Sequence, residues 1–282
     1  MKYINSTKGS LFAMVIIAFL VFFLPEIDSS FSFEIVLTVA TFLLAILVGL
    51  DLSRLYSRYT NVRQNIAEED ARLLSFYAKS KIYGKEFSER VRNIVDKYCI
   101  HFLDYGIWKA EGYYYKPTSK YFLQFYDEME RMKKYRHEGT YESMLDDLSY
   151  LESARNKASI FIYAQMSLKK QYFLFLLALI ILLCLFVGIR GDGFYGQLIT
   201  ILLSSSLVLI LLLLRDLNSF MIQNKGIGVE SKQEVLEFMG LSRYYNQLNQ
   251  KRGFIFIPKQ HKKYRLGLHK PGEKIKIKIV SD

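Results

Sequence analysis

Apolar residues gather in four long runs, at 11–24, 31–50, 173–188 and 198–214, that carry almost no charge. A long charged segment separates the first two runs from the last two. Runs of this kind predict helices that cross a bilayer, because a hydrocarbon core of about 30 Å takes roughly 20 helical residues at about 1.5 Å each. The first run is the shortest, and it spans only with Gly9, Ser10 and Pro25 to Ile27 in the headgroup region. The runs pair as two hairpins.

Between the hairpins the apolar period changes to that of packed helices. No Gly or Pro interrupts the chain from Asp51 to Tyr83, so the second span is predicted to continue out of the membrane as one helix that ends at Gly84. Val62, Ile66, Leu73 and Tyr77 form its apolar stripe. A second helix is expected over 85–108, with Val91, Val95, Tyr98 and Phe102 on one face. The segment 112–117 breaks the pattern and 121–134 resumes it. A last helix begins near Tyr141 and is expected to run unbroken through Leu148, Leu151, Ile160 and Met166 into the third span.

Past the fourth span the pattern changes twice. Residues 231–249 read as a short helix with Ser231 as its cap and Glu234 three residues on. Residues 254–257, 264–268 and 274–280 then alternate apolar and polar, and Lys270-Pro271-Gly272-Glu273 has the make-up of a tight turn. A small basic β-hairpin is predicted, with Ile275, Ile277 and Ile279 toward the protein and Lys274, Lys276 and Lys278 toward solvent or lipid headgroups. The expectation is an all-α membrane protein: four transmembrane helices in two hairpins, a cytoplasmic helical bundle and a small C-terminal β-hairpin. Its expected divisions are 1–50 for the first hairpin, 51–171 for the bundle, 172–216 for the second hairpin and 217–282 for the basic tail.

Charge orients the spans. The 282 residues carry a net charge of +11, most of it after residue 214. The link 25–30 has two acids and no base, and 189–196 has only Arg190, whereas Arg54, Arg58, Arg63, Lys169, Lys170 and Arg215 flank the opposite ends. By the positive-inside rule both termini face the cytoplasm of a plasma or inner membrane. Pro25-Glu26 offers no small-residue cleavage site, so the first run reads as a retained helix. The polyanion suited to the basic tail is then a surface of anionic lipid headgroups rather than nucleic acid. Cys99 and Cys184 fall in different compartments of this topology and are expected to be reduced, structural thiols.

Signs of catalysis are scarce. Gly191-Asp192-Gly193 and Gly226-Ile227-Gly228 lack the strand-to-helix setting of a phosphate loop, and His101, His137, His261 and His269 lie on separate elements without metal spacing. The acidic runs Glu68-Glu69-Asp70 and Asp127-Glu128-Glu130 sit beside Arg72 and Arg131. No catalytic group, metal or cofactor is predicted. Polar residues inside the spans say more, since hydrocarbon penalises them unless they face protein or water. Glu34, Thr38, Thr41 and Ala45 form one stripe on the second helix, and Gln197, Thr200 and Ser204 form an answering one on the fourth. Either a water-lined pathway in an oligomer or close helix packing accounts for them. Asp51 and Asp216, at the inner ends of two spans, could pair with Arg54 or Arg58, or snorkel to the interface unpaired.

The stretch from Tyr59 to Asp70, continued by Leu73 and Phe76-Tyr77, resembles a recurring pattern of the bestrophin-like membrane proteins. Leu151 to Arg155 is similar to the family's second Arg-bearing helix. Asp216-Leu217-Asn218-Ser219-Phe220 falls where relatives carry Asp followed by Pro-Phe, though the Pro is missing here. The likeness covers roughly 11–220. Bestrophins are pentameric anion channels whose second span lines a hydrophobic neck, which implies that role for Phe42 and Ile46. Arg63, Glu69, Arg155, Thr200, Ser204 and Asp216 are expected at helix interfaces or in support just behind the pathway. The acidic calcium clasp of animal bestrophins has no counterpart. The expectation is an oligomeric, channel-like protein that conducts small inorganic ions, with Glu34, Thr38, Thr41, Phe42 and Ile46 along the pathway. The alternative is a membrane-anchored interaction or signalling protein whose bundle recruits partners.

Overall fold

The computed structural model describes residues 4, 6–23, 33–105, 115–135, 138–189, 193–222, 225–253, 255–257 and 263–281. Its helices are α1 (Ser6–Phe23), α2 (Glu34–Ser80), α3 (Lys85–Tyr105), α4 (Tyr115–Arg131), α5 (Gly139–Tyr163), α6 (Leu168–Cys184), α7 (Gly193–Asn218), α8 (Val229–Phe238) and α9 (Gln247–Lys251). The strands are β1 (Met221–Ile222), β2 (Lys225–Gly226), β3 (Tyr244–Asn246), β4 (Lys263–Gly267) and β5 (Ile277–Ser281). Among the described residues, four helices are long and apolar enough to cross a membrane: Ser6–Phe23, Glu34–Tyr83, Leu168–Gly188 and Gly193–Asn218. The chain divides into two compact units, one of Ile4–Ser57 with Gln165–Asn218, the other of Arg58–Ala164 with Ser219–Asp282.

In the apolar unit α1 packs along α7, and Ile17, Val21 and Ile201 form their shared core. The helices come close because Gly9 has no side chain: a Cβ there would stand 3.0 Å from Leu212 Cδ1. Asp216 accepts a hydrogen bond from the Ser6 amide at 2.8 Å and so caps the orphan donors at the start of α1. Arg215 holds both Asp216, at 2.8 Å, and the Ile4 carbonyl, at 2.6 Å. Helix α6 is continued by a single π-turn, Leu185–Ile189, and the Leu185 carbonyl accepts from Thr200 Oγ1 at 3.4 Å.

The other unit buries the stripe predicted for α2, with Val62, Ile66, Leu73 and Tyr77 joined by Phe76. Against it lie Val91, Val95, Tyr98 and Phe102 of α3, Phe122 and Phe125 of α4, and Leu148 and Leu151 of α5. The tail is part of this core through Val235, Leu236, Tyr244 and Tyr245. As expected, α2 runs unbroken past Asp51; a 3-10 turn at Lys81–Tyr83 and Gly84 end it.

Several expectations need correction. Helix α5 does not run on into the third span: it stops at Tyr163, and Ser167 caps a new helix by accepting from the Lys170 amide. The tail helix starts at Val229 rather than Ser231, because Gly228 at φ 75 supplies its cap. Any side chain at Gly228 would strike Phe102 and Ile66, at 2.8 and 3.1 Å from the Cβ position. That helix ends at Phe238, and 244–246 is strand β3. The hairpin is two strands of a three-stranded sheet, β3-β4-β5, in which β3 pairs parallel to β4 and β4 antiparallel to β5, Arg265 opposite Ile279. Residues 255–257 form no strand. Of the three isoleucines only Ile275 packs on the core, while Ile277 and Ile279 are exposed.

Candidate functional site

The first half of α2 forms because its apolar, β-branched-rich sequence contains no breaker before Gly49, and a helix satisfies every backbone group in hydrocarbon. Its inner side is narrow. Ala40 and Leu44 are buried, and Leu37, Thr41, Ala45 and Val48 line a groove of about 440 Å³ with residues of α6 and α7, among them Ile181, Leu185 and Ser206. The rest of this stretch is open. Glu34, Thr38 and Thr41 are exposed, as are Ile35, Val39 and Leu50, while Phe42 is 65% and Ile46 45% exposed. At about 100° per residue, Glu34, Thr38, Thr41, Phe42 and Ile46 share one arc of roughly 140°. The five pathway candidates therefore lie on a single open face, with Thr41 at its edge where the groove begins.

The answering stripe on α7 does not meet them. Thr200 and Ser204 are fully buried, and Thr200 Oγ1 donates to the Leu185 carbonyl at 3.4 Å. Ser204 Oγ has no hydrogen-bond partner among the described residues. These two hydroxyls belong to helix packing inside the apolar unit. Asp51 and Asp216 also differ from expectation: Asp51 pairs with Lys170 at 2.5 Å, and Asp216 with Arg215 and the start of α1.

Arg58 does something else. Its Nε donates to the Phe161 carbonyl at 2.6 Å and its Nη2 to the Ile162 carbonyl at 2.7 Å, so a charged donor caps the last turn of α5. The guanidinium lies 4.1 Å from the centre of the Phe220 ring. Phe220 reaches that place in the left-handed conformation, φ 56, which is rare for a bulky residue. Arg155 is buried, stacks 4.4 Å over Phe122 and donates to Ser119 at 3.0 Å. Arg63 is exposed.

Glu69 sits in a charged cluster in the core. The Lys232 ammonium, 0% exposed, donates to both Glu69 and Asp70; Tyr98 donates to Glu69 at 2.8 Å and Ser231 to Asp70. Burial alone would push the Lys232 pKa down, but the two carboxylates outweigh it and hold it well above its ordinary value. Burial pushes Asp70 up to about 6, against the pull of Lys232 and with the push of Glu69. The sequence paired these acids with Arg72, which instead joins Lys79 on Asp147. A second buried network ties the tail to the end of α3: Asp104 accepts from Tyr244 at 2.6 Å and Asn246 at 2.8 Å and meets His269 Nε2 at 2.8 Å. Asn249 caps the carbonyls of Leu103 and Asp104 at 3.0 and 2.9 Å. Burial also raises the Cys99 thiol, which suits a structural role. Gly191 and Asp192, His137 and His261 lie outside the described residues.

Four helices long and apolar enough to cross a membrane, the second continuing as a core helix of a helical bundle, define a class of membrane proteins. The Bestrophin-like domain family matches residues 10–219, and the chain belongs to it. Among solved structures, one described as a membrane protein superposes with a TM-score of 0.61 at 13% identity, covering 83% of this chain and 97% of that one. A variant of a bacterial bestrophin homologue from Klebsiella pneumoniae gives 0.59 at 15% identity over 82% and 98%. The same bacterial homologue, phased on zinc, gives 0.56 at 11% identity over 83% and 98%. These likenesses establish the fold. No curated protein matches.

Proposed function

We propose that several copies of this chain assemble around a common axis, with the first half of α2 from each copy lining an ion-permeable pathway. What carries the reading is the open arc of α2, where Glu34, Thr38, Phe42 and Ile46 are exposed beside a buried face of Ala40 and Leu44. A helix in a ring shows one part of its surface to the lumen and flanking parts to its neighbours, so an arc of about 140° that holds the five candidates within a wider open face suits that place. Phe42 and Ile46 form an apolar constriction, with Thr38, Thr41 and Glu34 as polar stations beside it. Kinship with bestrophins favours small inorganic anions as the permeant species. In this reading the protein lies in a plasma or inner membrane with both termini cytoplasmic, and Lys274, Lys276 and Lys278, all exposed, meet anionic headgroups.

Replacing Thr38 and Thr41 together by Leu tests the assignment. Flux through reconstituted liposomes is expected to fall while the assembled mass in detergent stays that of a closed oligomer. Unchanged flux removes both threonines from the pathway. A monomeric mass removes the ring.

A further inference from the structure

A cleft of about 390 Å³ opens in the bundle unit between α3, α4 and the turn that precedes β5. Lys97 and His101 of α3, Lys120 and Gln124 of α4, and Lys274 line it, with Tyr121 and the turn residues Gly272, Glu273 and Ile275 completing the wall. None of the three lysines forms an ion pair with a described residue. The Lys120 ammonium stands 5.1 Å over the Tyr121 ring. Glu273 is the acid of the cleft, and its carboxylate is engaged by its own turn, accepting from the Lys270 amide at 3.2 Å. Three lysines against one glutamate leave an excess of two positive charges facing one small space.

The wall that brings Lys274 in is held firmly. Gly272 has φ 91, and Tyr105 Oη lies 2.7 Å from the place of its absent Cβ, so the turn rests directly on α3. His269 fixes the strand before it on Asp104 and accepts the Lys276 amide at 3.2 Å on Nδ1. His101 is 93% buried, its ring set against Tyr105 and Tyr121 at 6.0 and 5.2 Å, yet its Nδ1 has no hydrogen-bond partner among the described residues. Its pKa lies near 4, lowered first by burial and then by Lys120 and His269, so the ring is neutral at pH 7 and offers one N–H. A buried polar nitrogen and several ammonium groups, all without a partner among the described residues and gathered on one cleft, point to an anionic ligand with several acceptor oxygens.

We propose that this cleft binds a phosphate monoester, with Lys97, Lys120 and Lys274 neutralising the dianion and His101 donating to one of its oxygens. A phosphate monoester carries about −1.5 to −2 charges at pH 7 and three acceptor oxygens, which matches the excess charge and the donor set better than a carboxylate does. Lysine binds phosphate as a point charge, so it tolerates either a soluble phosphate ester or the headgroup of phosphatidic acid. The turn that supplies Lys274 lies beyond the part of the chain matched by the bestrophin-like family, whereas Lys97, His101 and Lys120 lie within it.

The test uses the full chain in detergent, with glycerol 3-phosphate titrated calorimetrically and phosphatidic acid against phosphatidylcholine scored by native mass spectrometry. Lys120→Glu and Lys274→Glu are each expected to weaken binding at least about fivefold, and Lys85→Glu, the same charge change at the exposed start of α3 away from the cleft, less than about twofold. His101→Gln keeps a donor and is expected to bind more tightly than His101→Leu. Cleft-dependent binding of glycerol 3-phosphate supports the proposal with a soluble ligand. The same pattern with phosphatidic acid alone supports it with a lipid headgroup. Absence of binding to both probes, or an equal loss in Lys85→Glu, overturns it.

Discussion

One helix lives in two environments. From Val62 to Ser80, α2 is a core element, with Val62, Ile66, Leu73 and Phe76 buried among α3, α4, α5 and the tail. From Glu34 to Leu50, Ala40 and Leu44 are the buried positions among the described residues, and apolar side chains as large as Phe42 stand open. The lower half has found its partners within the chain. The upper half leaves large apolar side chains uncovered, and in the function proposed above lipid and other copies of the chain cover them.

The contrast is sharpest where charge is concerned. In the lower half Glu69 and Asp70 are buried on Lys232, and removing one partner from a buried ion cluster strands the remaining charges. Lys232→Met is therefore expected to destabilise the protein by about 3–5 kcal/mol, read as a fall in unfolding midpoint in detergent, with Glu69→Gln and Asp70→Asn added on top restoring part of it. No measurable change would mean that the tail helix does not hold α2. The cluster also makes stability depend on pH. Asp70 has a folded pKa of about 6 against an ordinary 3.8, so the folded state keeps a proton that the unfolded chain loses. That contribution is fully present below about pH 4 and disappears as pH rises through 6, the reverse of an ordinary salt-bridged carboxylate. The pH slope of wild type minus that of Asp70→Asn isolates it, and a difference that grows with pH would contradict the assignment.

Next in size is Arg58, where α2 enters its core half. Arg58→Leu loses two charge-assisted bonds to the last carbonyls of α5 and the stacking on Phe220, an expected cost of about 1.5–3 kcal/mol. Unfolding midpoints measure it, and Arg58→Lys should recover only part, since an ammonium cannot fork to both carbonyls while lying over a ring. The smallest effect on stability belongs to the upper half. Phe42→Ala is expected to change unfolding by no more than about 0.5 kcal/mol in monodisperse detergent, while changing flux. A loss of several kcal/mol would mean that Phe42 is packed rather than open.

Much of this was readable along the chain. The four spans and the unbroken α2 were legible because charge-free runs and the absence of Gly and Pro are local signals. Glu69 and Arg155 were reached through the family pattern, and both are buried in polar contacts. The break between α5 and α6 was not legible, since Ala164 to Ser167 contains neither Gly nor Pro and the new helix is started by one serine hydroxyl. Lys232 escaped for another reason. It looked like an ordinary polar position in a capping box, and only packing against α2 and α3, far away in sequence, turns it into the ion partner of Glu69 and Asp70. The spacing of Thr200 and Ser204 left a lumen and close packing both open, because spacing marks a face without saying what that face meets, and it is their burial that places them in packing.

The lining role of α2 is tested most directly by thiol labelling during flux measurements. Phe42→Cys in reconstituted liposomes, treated with a charged methanethiosulfonate reagent, is expected to lose most of its ion flux, while Leu176→Cys, on the exposed side of α6, keeps its flux under the same treatment. Equal responses at the two positions, or none at Phe42, would contradict a pathway lined by this helix.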